Sequence, residues 1–323
     1  MITKRLALFA VLCAIGADAF AQPFPSKPIR IIVPSSAGGS ADTITRVLAD
    51  GATRVLGQRV LVDNRPGASG NIGSELAAKS PPDGYTWLMI NNAQAANVSL
   101  YKTLTYDLLR DFAPVTQVEA SPHVVVVHPS LPVKSIADLV KLAKAQPGKL
   151  DYASAGLGTV TFLAAEIFKS DAGVNLVHVP YKGGGESLMS IVGGETIVYF
   201  SPLPVALPHM SSGRLRALAV TSKARVPRVP HIPTVAESGY PRYEFNLWDG
   251  LLVPVKTPRE TITAIHSAVL ATLKTPEVSK RLTDMSSTPI GNQPEQFGAF
   301  LISEVDSIAK LVKRLNLTAD AIK

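Results

Sequence analysis

Three short stretches could meet a ligand with bare backbone: "PSSAGGS" (Pro34–Ser40), "SAGLGT" (Ser154–Thr159) and "YKGGGES" (Tyr181–Ser187). Each stands just ahead of a helix-periodic segment. The opening amides of a helix have no intrahelical acceptor and carry a partial positive charge. Small residues let an anion reach those amides directly, so such turns are ready anion sites. A single turn of this kind usually reflects the steric need for glycine between strand and helix. Three in one chain make anion binding a reading of equal weight.

Other chemistries fail on spacing. A Walker loop needs G-x-x-x-x-G-K-[ST], which is absent. A dinucleotide fingerprint needs G-x-G-x-x-G, and "GLGTVT" has Thr161 in the last glycine's place. No G-x-S-x-G elbow occurs. The histidines (His123, His128, His178, His209, His231, His266) show no H-x-x-x-H spacing, and each reads as a core or surface residue. No pair of acids is placed for acid–base work. The cationic candidates are Arg46, Arg65 and Lys182. Arg46 could point to water and Arg65 could brace a loop, whereas Lys182 beside the triple glycine could line a cleft.

The elements that must position these turns alternate. Strands are expected at Ile29–Val33, Val60–Val62, Trp87–Ile90, Val124–Val127, Asp151–Ala153, Leu176–Val179, Ile197–Phe200, Arg216–Val220 and Leu251–Val253. Helices lie between many of them. In Ala41–Leu56 the apolar residues Ile44, Val47, Leu48, Ala52, Val55 and Leu56 keep an i, i+3, i+4 spacing. Ser135 with Asp138, Thr257-Pro258 with Glu260, Thr275-Pro276 and Pro294 mark four further helix starts. Pro208 should kink or end any helix over "PVALPHM". Strand–helix alternation implies an α/β fold with doubly wound, mostly parallel sheets. The stretches "IRIIVPSSAGGSADT" and "LDYASAGLGTVTF" share one strand–turn–helix design, as if each belonged to its own domain. Extended links near "VVVVHP" and "FNLWDGLLVP" could pass between those domains. Trp248, on the second link, reads as core or as a cleft wall.

Bulk properties bound the class. "MITKR", the apolar "LALFAVLCAIGA" and "AFA" read as an export signal cleaved after Ala21, since about twelve apolar residues cannot span a bilayer core needing about 20. The mature, exported chain then starts at Gln22 and, with Cys13 gone, has no cysteine for thiol catalysis or thiolate metal binding. At 46% apolar and 18% charged residues the 323-residue chain can build a core. The formal charge of +7 is scattered, which argues against a nucleic-acid partner. It suits weak long-range attraction of small anions.

In the order "PSKPIRIIVPSSAGGSADTITR", "VDNRPGASGNIGSELAAKSPPDGYTWLM", "LYKTLTYDLLRDFAPVT", "VVHPSLPVKSIADL", "GKLDYASAGLGT", "VHVPYKGGGESL", "ALPHMSSGRLRALAVT" and "IPTVAESGY", the chain resembles the tripartite tricarboxylate transporter receptors, the TctC or Bug family. The resemblance implies a two-lobed periplasmic binding protein of the Venus flytrap kind, with residues 22–123 and 248–323 in one lobe and 124–247 in the other. It implies no enzyme activity, cofactor or metal. The implied ligand is a small carboxylate, held by turn amides and bridging waters between closing lobes. The implied partners are membrane permease subunits (TctA/TctB-like), or alternatively a sensor histidine kinase, with the receptor itself a monomer.

Carried onto this sequence, the ligand contacts are Ser35, Ser36, Ala37, Gly38, Gly39 and Ser40 on the first turn. Ser154, Ala155, Gly156, Gly158 and Thr159 form the second, with Asn92 and Gln94 on a third wall. Lys182 and Ser201 complete the expected site. Departures bear on the ligand. The usual "VPFAPGGSTD" reads "VPSSAGGSAD", so Ser35 replaces a Phe and Ala37 a Pro. Thr159 and Phe162 stand for Ser and His. Ser201 replaces an Asp that can receive an ammonium group. A di- or aromatic carboxylate is therefore expected rather than an amino acid.

Overall fold

The strand "IRIIV" is buried along nearly its whole length because helices cover both faces of its sheet. Ile29, Ile31 and Val33 point into one core and Ile32 into another, the period of two expected of a strand. The structure, a computed structural model, describes residues 24–317; the export segment and its cleavage site lie outside them.

After β1 (Ile29–Val33) come α1 (Ser40–Leu56), β2 (Val60–Asn64), a 3-10 turn at Ala68–Gly70, α2 (Asn71–Ala78), β3 (Thr86–Asn91) and α3 (Asn92–Leu100). The chain crosses on β4 (Phe112–Val127) and continues through α4 (Ile136–Ala145), β5 (Asp151–Ser154), α5 (Val160–Ala172), β6 (Val177–Pro180) and α6 (Gly184–Gly193). β7 (Val198–Pro202), α7 (Leu203–Ser211) and β8 (Arg216–Val220) follow, and β9 (Asn246–Pro254) leads back. The chain ends with α8 (Arg259–Lys274), α9 (Pro276–Asp284), β10 (Thr288–Pro289) and α10 (Pro294–Arg314).

The strand path is β2-β1-β3-β9-β4-β7-β5-β6. It carries a parallel trio at each end, β2-β1-β3 and β6-β5-β7. The central pairings of β4 and β9 are antiparallel, so the parallel character is confined to the two ends. β4 runs the length of both: Phe112–Pro122 pair with β9, and His123–Val127 pair with β7. Sixteen residues long, it far exceeds the expected Val124–Val127. Its first part carries Pro114, Pro122 and buried polar groups, which hide the strand pattern. Register shifts at Pro114/Thr116 and Gln117/Glu119 accommodate them.

Two helix starts differ from the sequence reading. Thr257 does not cap α8; its hydroxyl donates to the Pro254 carbonyl, and Pro258 takes the cap position. Ser135 caps α4 as expected, while Asp138 takes its shorter bond from the Lys134 amide. Pro208 is carried inside α7. Trp248 is core: it packs edge-on against Phe297 and Phe300 and donates from Nε1 to Glu304 at 2.7 Å.

Candidate functional site

α1 opens at Gly39, which is extended and offers no side-chain cap. Gly38 before it is left-handed at φ +81°, a conformation that favours glycine. The Gly38 amide donates to Asp42 Oδ2 at 2.9 Å, and Arg46 pairs with the same carboxylate at 2.9 Å. Burial pushes the Asp42 carboxyl up, but bonds from Arg46, Gly38 and Asn64 outweigh it and hold the group below the usual range. Arg46 therefore braces the turn. Left open at the mouth are the first amides of α1 and the hydroxyls of Ser35, Ser36 and Ser40, which have no protein partner.

The second turn is braced from within. The Ala155 amide donates to Thr161 Oγ1, the Gly156 amide to Ser154 Oγ, and Thr159 Oγ1 to the Gly156 carbonyl. Behind it, Ser154 Oγ meets His178 Nε2 at 2.6 Å. The His178 ring lies between Tyr152 and Phe162, and burial pulls its pKa down to about 4, so it is neutral near pH 7. Thr159 makes no side-chain cap, leaving the first amides of α5, Val160 and Thr161, without intrahelical acceptors.

A third uncapped helix mouth is that of α6 at Gly183. α3 differs. Asn91 and Gln94 form a capping box that occupies the Ala93 and Asn91 amides. Asn91–Gln94 is therefore a wall and not an anion cradle.

All three uncapped mouths border one cavity of about 480 Å³. Of the residues expected from sequence, Ser35, Ser36, Gly39, Ser40, Gln94, Ala155, Gly156, Thr159 and Lys182 line it. Ala37, Gly38, Asn92, Ser154, Gly158 and Ser201 do not. Asn92 faces away, accepting from the Trp248 amide and donating to the Asn246 carbonyl. Gly158 is left-handed at φ +73°, and a Cβ there would stand 2.5 Å from Leu100 Cδ1, so side-chain packing fills the space that the sequence reading reserves for oxygens. Ser201 is buried and donates to the Pro202 carbonyl.

Sequence reasoning missed Tyr199 and the Pro66–Gly70 loop, which line the cavity, and placed Tyr181 in the third turn without giving it a ligand contact. Tyr199 is fully buried, and its hydroxyl lies near those of Ser187 and Thr161 without a hydrogen bond of ordinary geometry to either. Burial drives its pKa far up, so it stays a neutral donor. The charged lining residues are Lys182 and Glu186, both exposed at the rim. The interior is neutral and aims amides and hydroxyls inward, an arrangement that suits a carboxylate and leaves an ammonium without a buried acid.

The two ends of the sheet touch across this cavity. A Cβ on Gly183 would overlap Ser36 Oγ and lie 2.8 Å from Ser36 Cβ; one on Gly185 would lie 3.1 Å from the Ala37 carbonyl.

The model of the tripartite tricarboxylate transporter family receptor matches residues 44–317. The chain belongs to this family. BugT of Bordetella pertussis is 34% identical over 316 residues, covering 96% of this chain and 97% of BugT. Among solved structures, R. palustris Rpa4515 with adipate superposes with a TM-score of 0.89 at 34% identity, covering 91% of this chain and 99% of that one. The periplasmic binding protein BugD gives 0.88 at 30% identity, with the same coverage. The α/β periplasmic-binding-protein fold follows. The TctC/Bug family is one of periplasmic carboxylate-binding receptors, not of enzymes. No helix among the described residues is long and apolar enough to cross a membrane.

Proposed function

We propose that this receptor captures a dicarboxylate of adipate's kind by closure of two lobes, residues 22–123 with 248–323 against 124–247, and delivers it to a membrane permease. Lys182 and the cleft hydroxyls orient the ligand while turn amides carry its charge. The single observation behind this reading is the convergence of three uncapped helix mouths on one cavity that holds a fully buried, unpartnered Tyr199 hydroxyl. One carboxylate at the α1 mouth and the other at the α5 mouth would tie the lobes together. Closure is then a population shift driven by contacts made only when both lobes grip.

Thermal-shift measurements with a series of straight-chain dicarboxylates, phthalate and glutamate test the class. A bound acid at 100 times its dissociation constant adds about 2.7 kcal/mol to stability. Adipate-like acids are expected to stabilise and glutamate is not; stabilisation by glutamate alone would reverse the choice. Tyr199→Phe should weaken the best acid about tenfold in calorimetry, the net worth of one hydrogen bond to a charged oxygen. An unchanged affinity would remove Tyr199 from the site.

A further inference from the structure

We propose that Ser69 is a positioning residue: its hydroxyl latches the closed cleft by holding the carbonyl of Leu157 on the opposite turn. The inference rests on the receptor reading above. Ser69 Oγ donates to Leu157 O at 2.6 Å, across 88 positions of sequence. It joins the 3-10 turn beside α2 to the turn that opens α5.

The loop carrying Ser69 is shaped for this contact. Gly67, Ala68, Ser69 and Gly70 all have positive φ, with Ala68 at 46° and Ser69 at 55°. Residues with a Cβ are disfavoured there, and such strain persists only where surrounding structure over-determines it. α3 supplies that structure. Asn97 Nδ2 donates to the Ser69 carbonyl at 2.9 Å, and the Tyr101 hydroxyl donates to Ser69 Oγ at 3.1 Å. With Tyr101 on one side, the Ser69 proton is directed to Leu157.

Leu157 lies between Gly156 at φ +113° and Gly158 at φ +73°. Glycines on both sides leave its peptide free to rotate unless a partner holds the carbonyl. Ser69 is that partner, and it is present only when the two sides meet. The bond thus joins closure to the shape of the turn that presents the Val160 and Thr161 amides. A ligand bound between the mouths is retained as long as the latch holds, so the effect belongs to release and not to entry.

The test compares wild type with Ser69→Gly, which removes the hydroxyl and relieves the left-handed strain together. Adipate is the probe, followed by calorimetry and stopped-flow release. The expected result is unchanged or raised thermal stability, an unchanged association rate and about tenfold faster release. A purely structural role for Ser69 predicts wild-type release, which would overturn the latch. Spin labels at Lys79→Cys and Met189→Cys read closure independently, with a longer mean distance expected in Ser69→Gly. Wild type that gives no heat with adipate would count against the dicarboxylate reading. The label distances would then decide the latch alone, with identical distributions overturning it.

Discussion

Gly183→Ala is expected to weaken ligand capture roughly 100-fold in a protein that remains folded. Gly183 is extended (φ 177°), a backbone any residue adopts, so the added methyl strains nothing within its own turn. Its effect lies across the cleft. The new Cβ would overlap Ser36 Oγ, which can rotate away, but it would also stand 2.8 Å from Ser36 Cβ, which cannot. The backbones of the two turns must separate. Beside the clash the two turns are already in van der Waals contact, with a Cβ on Gly184 3.5 Å from Gly39 Cα. A cleft held ajar loses one of the two grips on the acid. A loss of roughly 100-fold in affinity follows, about 2.8 kcal/mol at 1.4 kcal/mol per tenfold step. The companion variant makes the argument specific. Ser36→Gly removes the colliding atoms, so Gly183→Ala with Ser36→Gly should recover much of what Gly183→Ala loses. Calorimetry on the three variants measures this. Wild-type affinity in Gly183→Ala, or no recovery in the double variant, would show that these turns do not meet in the liganded form.

The parts of this site written in local chemistry were legible in the sequence. Gly38–Gly39 and Gly156–Gly158 mark the two turns because tight approach and positive φ need glycine. The amphipathic spacing of Ile44, Val47, Leu48 and Ala52 marks the helix behind the first turn. What the sequence hid depends on residues brought together from far away. Tyr199 reads as an ordinary strand residue, and only the fold sets its hydroxyl between α5 and α6, near Thr161 and Ser187. Asn92 and Gln94 look equivalent in "NNAQ", yet Gln94 caps its helix on the cavity while Asn92 braces Trp248 on the far side. Ser201 sits one residue before the cavity-lining Pro202 and bonds to that residue's carbonyl. The role of Ser154 was misplaced for a similar reason. Its hydroxyl is held by His178, two strands' worth of sequence away, and so shapes the turn from behind. β4 escaped because a buried strand rich in polar residues has no apolar alternation to read.

Those polar residues carry the second large expected effect, a loss of stability on raising the pH that Glu119→Gln reduces. Glu119 on β4 stands directly opposite Asp249 on β9, and both are fully buried. Around them lie Ser121 on the same strand, Asn91 from β3 and Ser287 ahead of β10, with no cation among the described residues acting on either acid. Burial raises both carboxyls, and for Glu119 the facing Asp249 charge raises it further, well above the ordinary range. Asp249 goes up to about 6 by burial, partly offset by the neighbouring Glu119 and Asn91 side chains, although neither makes a hydrogen bond of ordinary geometry to it. Near neutral pH the pair holds one proton between two carboxyls, the arrangement that two like charges in a dry site require. An acid whose pKa is raised by folding favours the folded state while protonated. Its contribution is complete below about pH 4, shrinks as the pH climbs through 6 for Asp249, and falls again as Glu119 ionises. For Asp249 alone the loss is on the order of 3 kcal/mol. His123 and His178, at about 3 and 4, have finished titrating before this window opens. Glu119→Gln keeps the shape, removes one titration and gives the Asp249 carboxylate a permanent amide donor. Urea unfolding at pH 5, 7 and 9 should therefore show the variant gaining on wild type at each step, with the largest margin at pH 9. Parallel curves for the two proteins would show that the pair never shares a proton at all.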